Sequence, residues 1–188
     1  MIQSKKDLKE YMAADNNFFF AKGSKARLVS SLAKYPMQSL KNYLYYLRMQ
    51  EYYINTAHGS KLKGLLGLFY ERRKNSLGAK LGIEIGPNCF GKGLSIWHYG
   101  CIIVNADARI GENCILHGGN CIGNNGKDSK APRIGNKVDI GFGAVVIGDI
   151  EIADDVTIGA NAVVNKSILQ SGSVVVGIPG KVIKNKVK

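Results

Sequence analysis

The chain has 188 residues, 45% of them hydrophobic, which suits one domain with an appendage and a buried core that needs no disulfide staples. Its four cysteines (Cys89, Cys101, Cys114, Cys121) form no CxxC pair and the opening MIQSKKDLKE is too polar for a secretory signal, so reduced thiols in the cytosol are expected and a metal finger is not. No apolar run approaches the roughly 20 residues that a membrane-spanning helix needs, and the net charge of +12 is uneven, with 15 Lys and Arg against 5 Asp and Glu in residues 1–80 but 11 against 9 in residues 81–188.

In chain order, residues 1–80 show helical spacing and helix-forming composition in SKKDLKEYMAAD, MQSLKNYLYYLRMQEYYINTA and SKLKGLLGLFYERRKN. Ser4 with Asp7 has the form of a capping box, and Leu40, Tyr43, Leu44, Leu47 and Tyr52 fall near one face of the second helix. This basic helical region is expected to end near Leu77 to Leu81. Its charge leaves nucleic acid, an anionic membrane surface and an acidic glycan open as partners; a solvated helix face is the plainest account.

From Ile110 onward a different period takes over. Steps of six give Ile110, Leu116, Ile122, Asp128, Ile134, Ile140, Val146, Ile152, Ile158, Val164, Gln170 and Val176, so ten of the twelve positions are aliphatic, and six of those ten are followed by glycine. Helices need apolar spacing near 3.6 and strands near 2, so a strict six with glycine reads as a short strand plus a turn, repeated. Each repeat is one wall of a coil whose stacked turns share an interior, a parallel β-helix. The polar stretch around the Asp128 exception reads as a protruding loop, 124–133.

Among the three histidines, His98 lies in GLSIWHYG, His117 in ILHGG and His58 in the helical region. Imidazole is the usual base for drawing a proton from an alcohol near neutral pH, which makes His98 the first candidate and His117 the second. The competing account is structural: counting back by six from Ile110 reaches His98, an inward lattice position. Cys101, three residues after His98, reads as a small buried hydrophobe.

Residues 81–188 resemble the hexapeptide-repeat acetyltransferases, in particular the catalytic domain of serine acetyltransferases, and more closely the acetyltransferases of bacterial capsule and exopolysaccharide clusters. The resemblance is carried by GLSIWHYG with IIVN, by APRIGNKVDIGFGAVVIGDIEIADDVTIGANAVVNKS and by VVVGIPGKVIK, together more than half the chain. It implies a mainly β fold, a left-handed prism, which is an exception to the usual right-handed crossover, behind an N-terminal α-helical region. It also implies that His98 is the general base and Glu84 of GIEIGP its orienting carboxylate, although one residue fewer separates the two than in the family. Glu84 as a plain surface residue is the other reading. Acetyl-CoA, with no metal, is the implied co-substrate. It would lie in a groove between prisms against the small residues of GFGA (Gly141, Gly143, Ala144) and GANA (Gly159, Ala160, Ala162), with Lys181 toward its phosphate.

Two departures bear on the acceptor. Trp97 stands where the family has an Asp before the base, and Ala131 where it has a histidine in the loop. Trp97 and Tyr99 flanking the base suit a sugar ring, with two core aromatics as the alternative. The expectation is therefore a cytoplasmic homotrimer acetylating a sugar hydroxyl of a capsular or exopolysaccharide precursor, its basic region placed to touch an anionic inner-membrane surface. Nucleic acid is not an expected partner, nor is cysteine synthase, since the chain ends in KNKVK without the family's terminal isoleucine. The rivals are serine O-acetylation, a zinc hydratase of carbonic-anhydrase type, disfavoured by too few histidines, and a non-catalytic trimeric scaffold.

Overall fold

The computed structural model describes residues 1–16, 36–127 and 129–185 and divides into two compact units, Met1–Leu81 and Gly82–Lys188. Asp128, the exception in the lattice, lies outside the described residues.

The first unit contains α1 (Lys5–Asn16), α2 (Pro36–Thr56) and α3 (Lys61–Leu81). Helix α1 begins as its sequence indicates: Ser4 Oγ accepts from the Asp7 N–H at 3.1 Å, and Asp7 Oδ2 accepts from the backbone N–H groups of Gln3 at 2.9 Å and Ser4 at 3.0 Å. Those bonds hold the Asp7 carboxyl below its ordinary value, the Gln3 N–H contributing most. Leu40, Tyr43, Leu44 and Leu47 form the buried face of α2, while Tyr52 stays partly exposed. Helix α3 runs beyond the expected segment to Leu81 and is turned opposite to its hydropathy. Gly67, Lys74, Gly78 and Leu81 are buried. Leu62, Leu65, Leu68 and Phe69 face outward. Gly67 packs against α2, where a Cβ would stand in ordinary contact, 3.7 Å from Tyr53 and Ile54. None of the described helices is long and apolar enough to cross a membrane.

The interior of this unit also holds charge. Arg48 is fully buried; its Nε donates to Asp15 Oδ2 at 2.8 Å, its Nη1 donates to Glu51 Oε2 at 2.9 Å, and its guanidinium lies 4.9 Å from the Tyr11 ring centroid. Glu51 and Asp15 together outweigh the cost of burial and keep the guanidinium protonated.

The second unit is a three-sided parallel β-helix, each side a stack of short strands. One side stacks β1 (Ile83–Ile85), β3 (Ile102–Val104), β6 (Cys121–Gly123), β9 (Val145–Ile147) and β12 (Val163–Val164). The next stacks β4 (Arg109–Ile110), β7 (Arg133–Ile134) and β10 (Glu151–Ile152). The third stacks β2 (Ser95–Ile96), β5 (Ile115–Leu116), β8 (Asp139–Ile140), β11 (Thr157–Ile158) and β13 (Ser173–Val176), with β14 (Lys181–Asn185) antiparallel on β13.

The six-residue lattice is the core of this unit. Leu116, Ile122, Ile140, Val146 and Ile158 are fully buried and Ile110, Ile134, Ile152 and Val164 nearly so. In register, Ile140 lies opposite Ile158, 18 residues on, which is three repeats per coil. Leu116 lies opposite Ile140, 24 residues on, because this coil carries the loop as one extra repeat. At the far end the period slips: Ile158 pairs with Val175, 17 residues on, so Val175 is buried and Val176, the lattice residue, is not.

The buried ion cluster makes the helical unit sensitive to removal of one partner. Arg48→Ala should destabilise it by roughly 3–5 kcal/mol, because Asp15 and Glu51 are left as buried anions. Arg48→Met combined with Asp15→Asn and Glu51→Gln should lose much less. Helix melting followed by circular dichroism distinguishes the two; equal losses would show that packing, not charge, decides the site.

Candidate active site

The candidate residues gather at one corner of the prism, where the third side turns into the first. In a parallel ladder, residues at one register position lie directly above one another, about 4.8 Å apart. Trp97 N–H donates to the Leu116 carbonyl, and His117 N–H to that of Ile140, at 2.9 and 3.1 Å. Trp97, His117, Gly141 and Gly159 therefore form one column down the corner. His98, Gly118, Phe142 and Ala160 form the next. Cys101, Gly119, Gly143 and Asn161 form the third, through Gly119 N–H to Gly100 O at 3.0 Å and Gly143 N–H to Gly118 O at 2.9 Å.

Between the first and third columns the rung of His98 is two residues longer than the rung below, Trp97 to Cys101 against His117 to Gly119. That expansion corrects the count by six. The inward position is Ile96, fully buried, and His98 is exposed. Trp97 at 37% and Tyr99 at 47% exposure are surface aromatics, not core. Cys101 is also exposed, with φ +50°, against its reading as a buried hydrophobe; the left-handed corner turn carries it outward. The inert thiol is Cys114, whose pKa burial pushes far up, with Asp139 adding to the shift.

Glycine keeps this corner open. A Cβ on Gly118, itself at φ +113°, would stand 3.1 Å from His98 O, 3.2 Å from His98 Cβ and 3.3 Å from the Phe142 ring. Any side chain there would crowd the His98 backbone and Cβ and the exposed Phe142 ring. One rung lower, a Cβ on Gly141 would meet the Ala160 nitrogen at 2.6 Å, so the backbones of GFGA and GANA lie in close contact. Gly141, Gly143 and Gly159 are partly exposed and Ala160 exposed, whereas Ala144 and Ala162 are buried core residues whose side chains face inward. Lys181 lies exposed on β14.

Glu84 is exposed on β1, in register with Ile103, and no hydrogen bond or ion pair joins it to His98. The carboxylate–imidazole pair present here is another one. His117 Nε2 lies 2.8 Å from Asp139 Oδ1, and its ring packs on Trp97 at 4.3 Å between centroids. Sequence reasoning passed over Asp139 and Phe142. The signal was the loop: with its extra repeat discounted, Asp139 and Phe142 fall on the rung next to His117 and Gly118. Ala131, at the loop's base, is buried.

No family model matches the chain. Over 105 residues, 54% of the chain, it is 39% identical to a serine acetyltransferase of Synechococcus elongatus, covering 43% of that protein. Over 106 residues it is 42% identical to one of Staphylococcus aureus, covering 49% of it. The chain thus spans less than half the length of these relatives. Among solved structures, the serine acetyltransferase of Vibrio cholerae superposes with a TM-score of 0.72 at 18% identity, covering 98% of this chain and 68% of that one. That of Brucella abortus gives 0.70 at 17%, covering 97% and 71%. These likenesses establish the shared fold, mainly β with a left-handed parallel β-helix. With the six-residue lattice, the stretch of about 40% identity over 54% of the chain makes it similar to the serine acetyltransferases.

Proposed function

We propose that the protein is an acetyl-CoA-dependent O-acetyltransferase in which His98 is the general base. The observation that carries this reading is the exposure of His98 at the corner where Gly118 and the GFGA and GANA turns stack in register. The matched relatives are named serine acetyltransferases, and a serine acetyltransferase of Brucella abortus has been solved with coenzyme A, which supports the thioester as donor. His98 takes the proton of the acceptor hydroxyl as its oxygen attacks the thioester carbonyl carbon. Backbone N–H groups of the corner hold the oxyanion, and as the C–S bond breaks the proton passes from His98 to the leaving thiolate. The open backbone at Gly141, Gly143, Gly159 and Ala160 suits close approach of the donor's arm, and Lys181 suits its phosphate. Glu84 remains a candidate orienting carboxylate only if the substrate-bound site draws it to His98.

For the acceptor, the names of the relatives support L-serine. A second reading, a sugar hydroxyl of a polysaccharide precursor, is favoured by the exposed aromatics Trp97, Tyr99 and Phe142 around the base and by alanine at position 131. Apolar faces of that size suit a pyranose better than a small zwitterion.

The outward row of the first side begins with Glu84 and is apolar below it, through Ile103, Cys121, Val145 and Val163, whereas the second side presents Arg109, Arg133 and Glu151. This contrast supports a homotrimer that covers the apolar side and completes the donor groove between prisms.

His98→Asn should lower kcat by roughly 10²–10⁴-fold with the melting temperature unchanged; activity within a factor of two of wild type would remove His98 as the base. Direct assay with L-serine and with a methyl pyranoside decides the acceptor: the better kcat/KM identifies it, and turnover of serine alone would discard the sugar reading. Light scattering should give three times the chain mass of 20.4 kDa. Ile103→Lys with Val145→Lys should dissociate the assembly and abolish transfer, and a fully active wild-type monomer would refute the trimer.

A further inference from the structure

Beside His98 lies a built cluster that the proton transfer leaves without a task. Trp97 and His117 share one register position on successive rungs, so the rung spacing itself brings their rings to 4.3 Å with a 40° tilt. On the other side of the imidazole, Asp139 projects outward from β8 and holds Nε2 at 2.8 Å. That contact fixes the orientation of the ring. The next residue in the column is Gly141, which offers no side chain to support the imidazole from below. The imidazole is held by Trp97 and Asp139.

Core packing does not account for this arrangement. The interior of these rungs is filled by Ile96, Leu116 and Ile140, all fully buried, whereas Trp97, His117 and Asp139 remain part-exposed on the outside of the coil. Three part-exposed side chains held in fixed geometry, ending on the residue next to the candidate base, form a wall rather than a filling. We infer that His117 and Asp139 are positioning residues: they hold the Trp97 indole as the acceptor-facing wall of the site and thereby set which acceptor reaches His98. The inference rests on the proposed role of His98.

Trp97 is the only tryptophan in the chain, so its emission reports on this cluster alone. Acrylamide quenching and steady-state kinetics are measured on the full chain for wild type, His117→Ala, Asp139→Ala, Asp139→Asn and His98→Asn, with acetyl-CoA and with whichever of L-serine and a methyl pyranoside the wild type acetylates. His117→Ala and Asp139→Ala should make Trp97 more quenchable. They should also raise KM for the acceptor by roughly two- to tenfold, the factor an aromatic pair corresponds to, leaving kcat and the KM for acetyl-CoA nearly unchanged. Asp139→Asn, which can still hydrogen-bond to Nε2, should restore both properties. His98→Asn should abolish transfer while Trp97 quenching stays at the wild-type level. Unchanged quenching and acceptor KM in His117→Ala and Asp139→Ala would overturn the inference with the His98 role intact, as would a uniform fall in kcat with no change in acceptor KM. Failure of the wild type to acetylate either acceptor would overturn the proposed function and this inference with it.

Discussion

Parallel register is the constraint on which the coiled unit depends. Each rung bonds to the next through its backbone, so an aliphatic at one lattice position must sit on the aliphatic one coil away, and the interior becomes a continuous stack of Ile, Leu and Val. The same bonding governs the outside. Residues far apart in the chain become vertical neighbours at about 4.8 Å, whatever their chemistry. That is how Trp97 comes to lie on His117 and how His98 looks across Gly118 to Phe142. A site can then be assembled along one corner without any loop folding back over it.

The core was legible because it repeats. Nine lattice aliphatics from Ile110 to Val164 are buried where steps of six place them, since period and physical coil length coincide. The site was only partly legible because it lies where the period is broken. Two additional residues after His98 shifted the count and suggested an inward histidine, and one additional repeat between Leu116 and Ile140 hid the pairing of His117 with Asp139. Register is a property of paired backbones, and a single strand of text does not carry it across an interruption. Glycine motifs were legible as turns, but the distinction between Gly143, partly exposed, and Ala144, fully buried, depends on which way each residue of a turn points.

In the helical unit the legible part was again periodic, the face of α2 bearing Leu40, Tyr43, Leu44 and Leu47. Arg48 was not, since its burial depends on Asp15, 33 residues away, as well as on Glu51 one turn on. Helix α3 was not legible from hydropathy: Gly67 and Gly78 face inward while leucines face out.

The antiparallel strand β14 has a consequence for the coil as a polymer. A parallel β-helix is open at its last rung, where unpaired backbone N–H and C=O groups invite another chain to continue the stack. On the third side, Lys181–Asn185 folds back onto β13 in the opposite direction, with its register broken between Val174 and Val175. A strand of reversed polarity breaks the parallel ladder on this side, and its exposed Lys181 and Lys184 put like charge on the edge that a second copy would meet. On this side the ladder of a one-dimensional architecture therefore closes with a charged strand of opposite direction instead of a bare parallel edge.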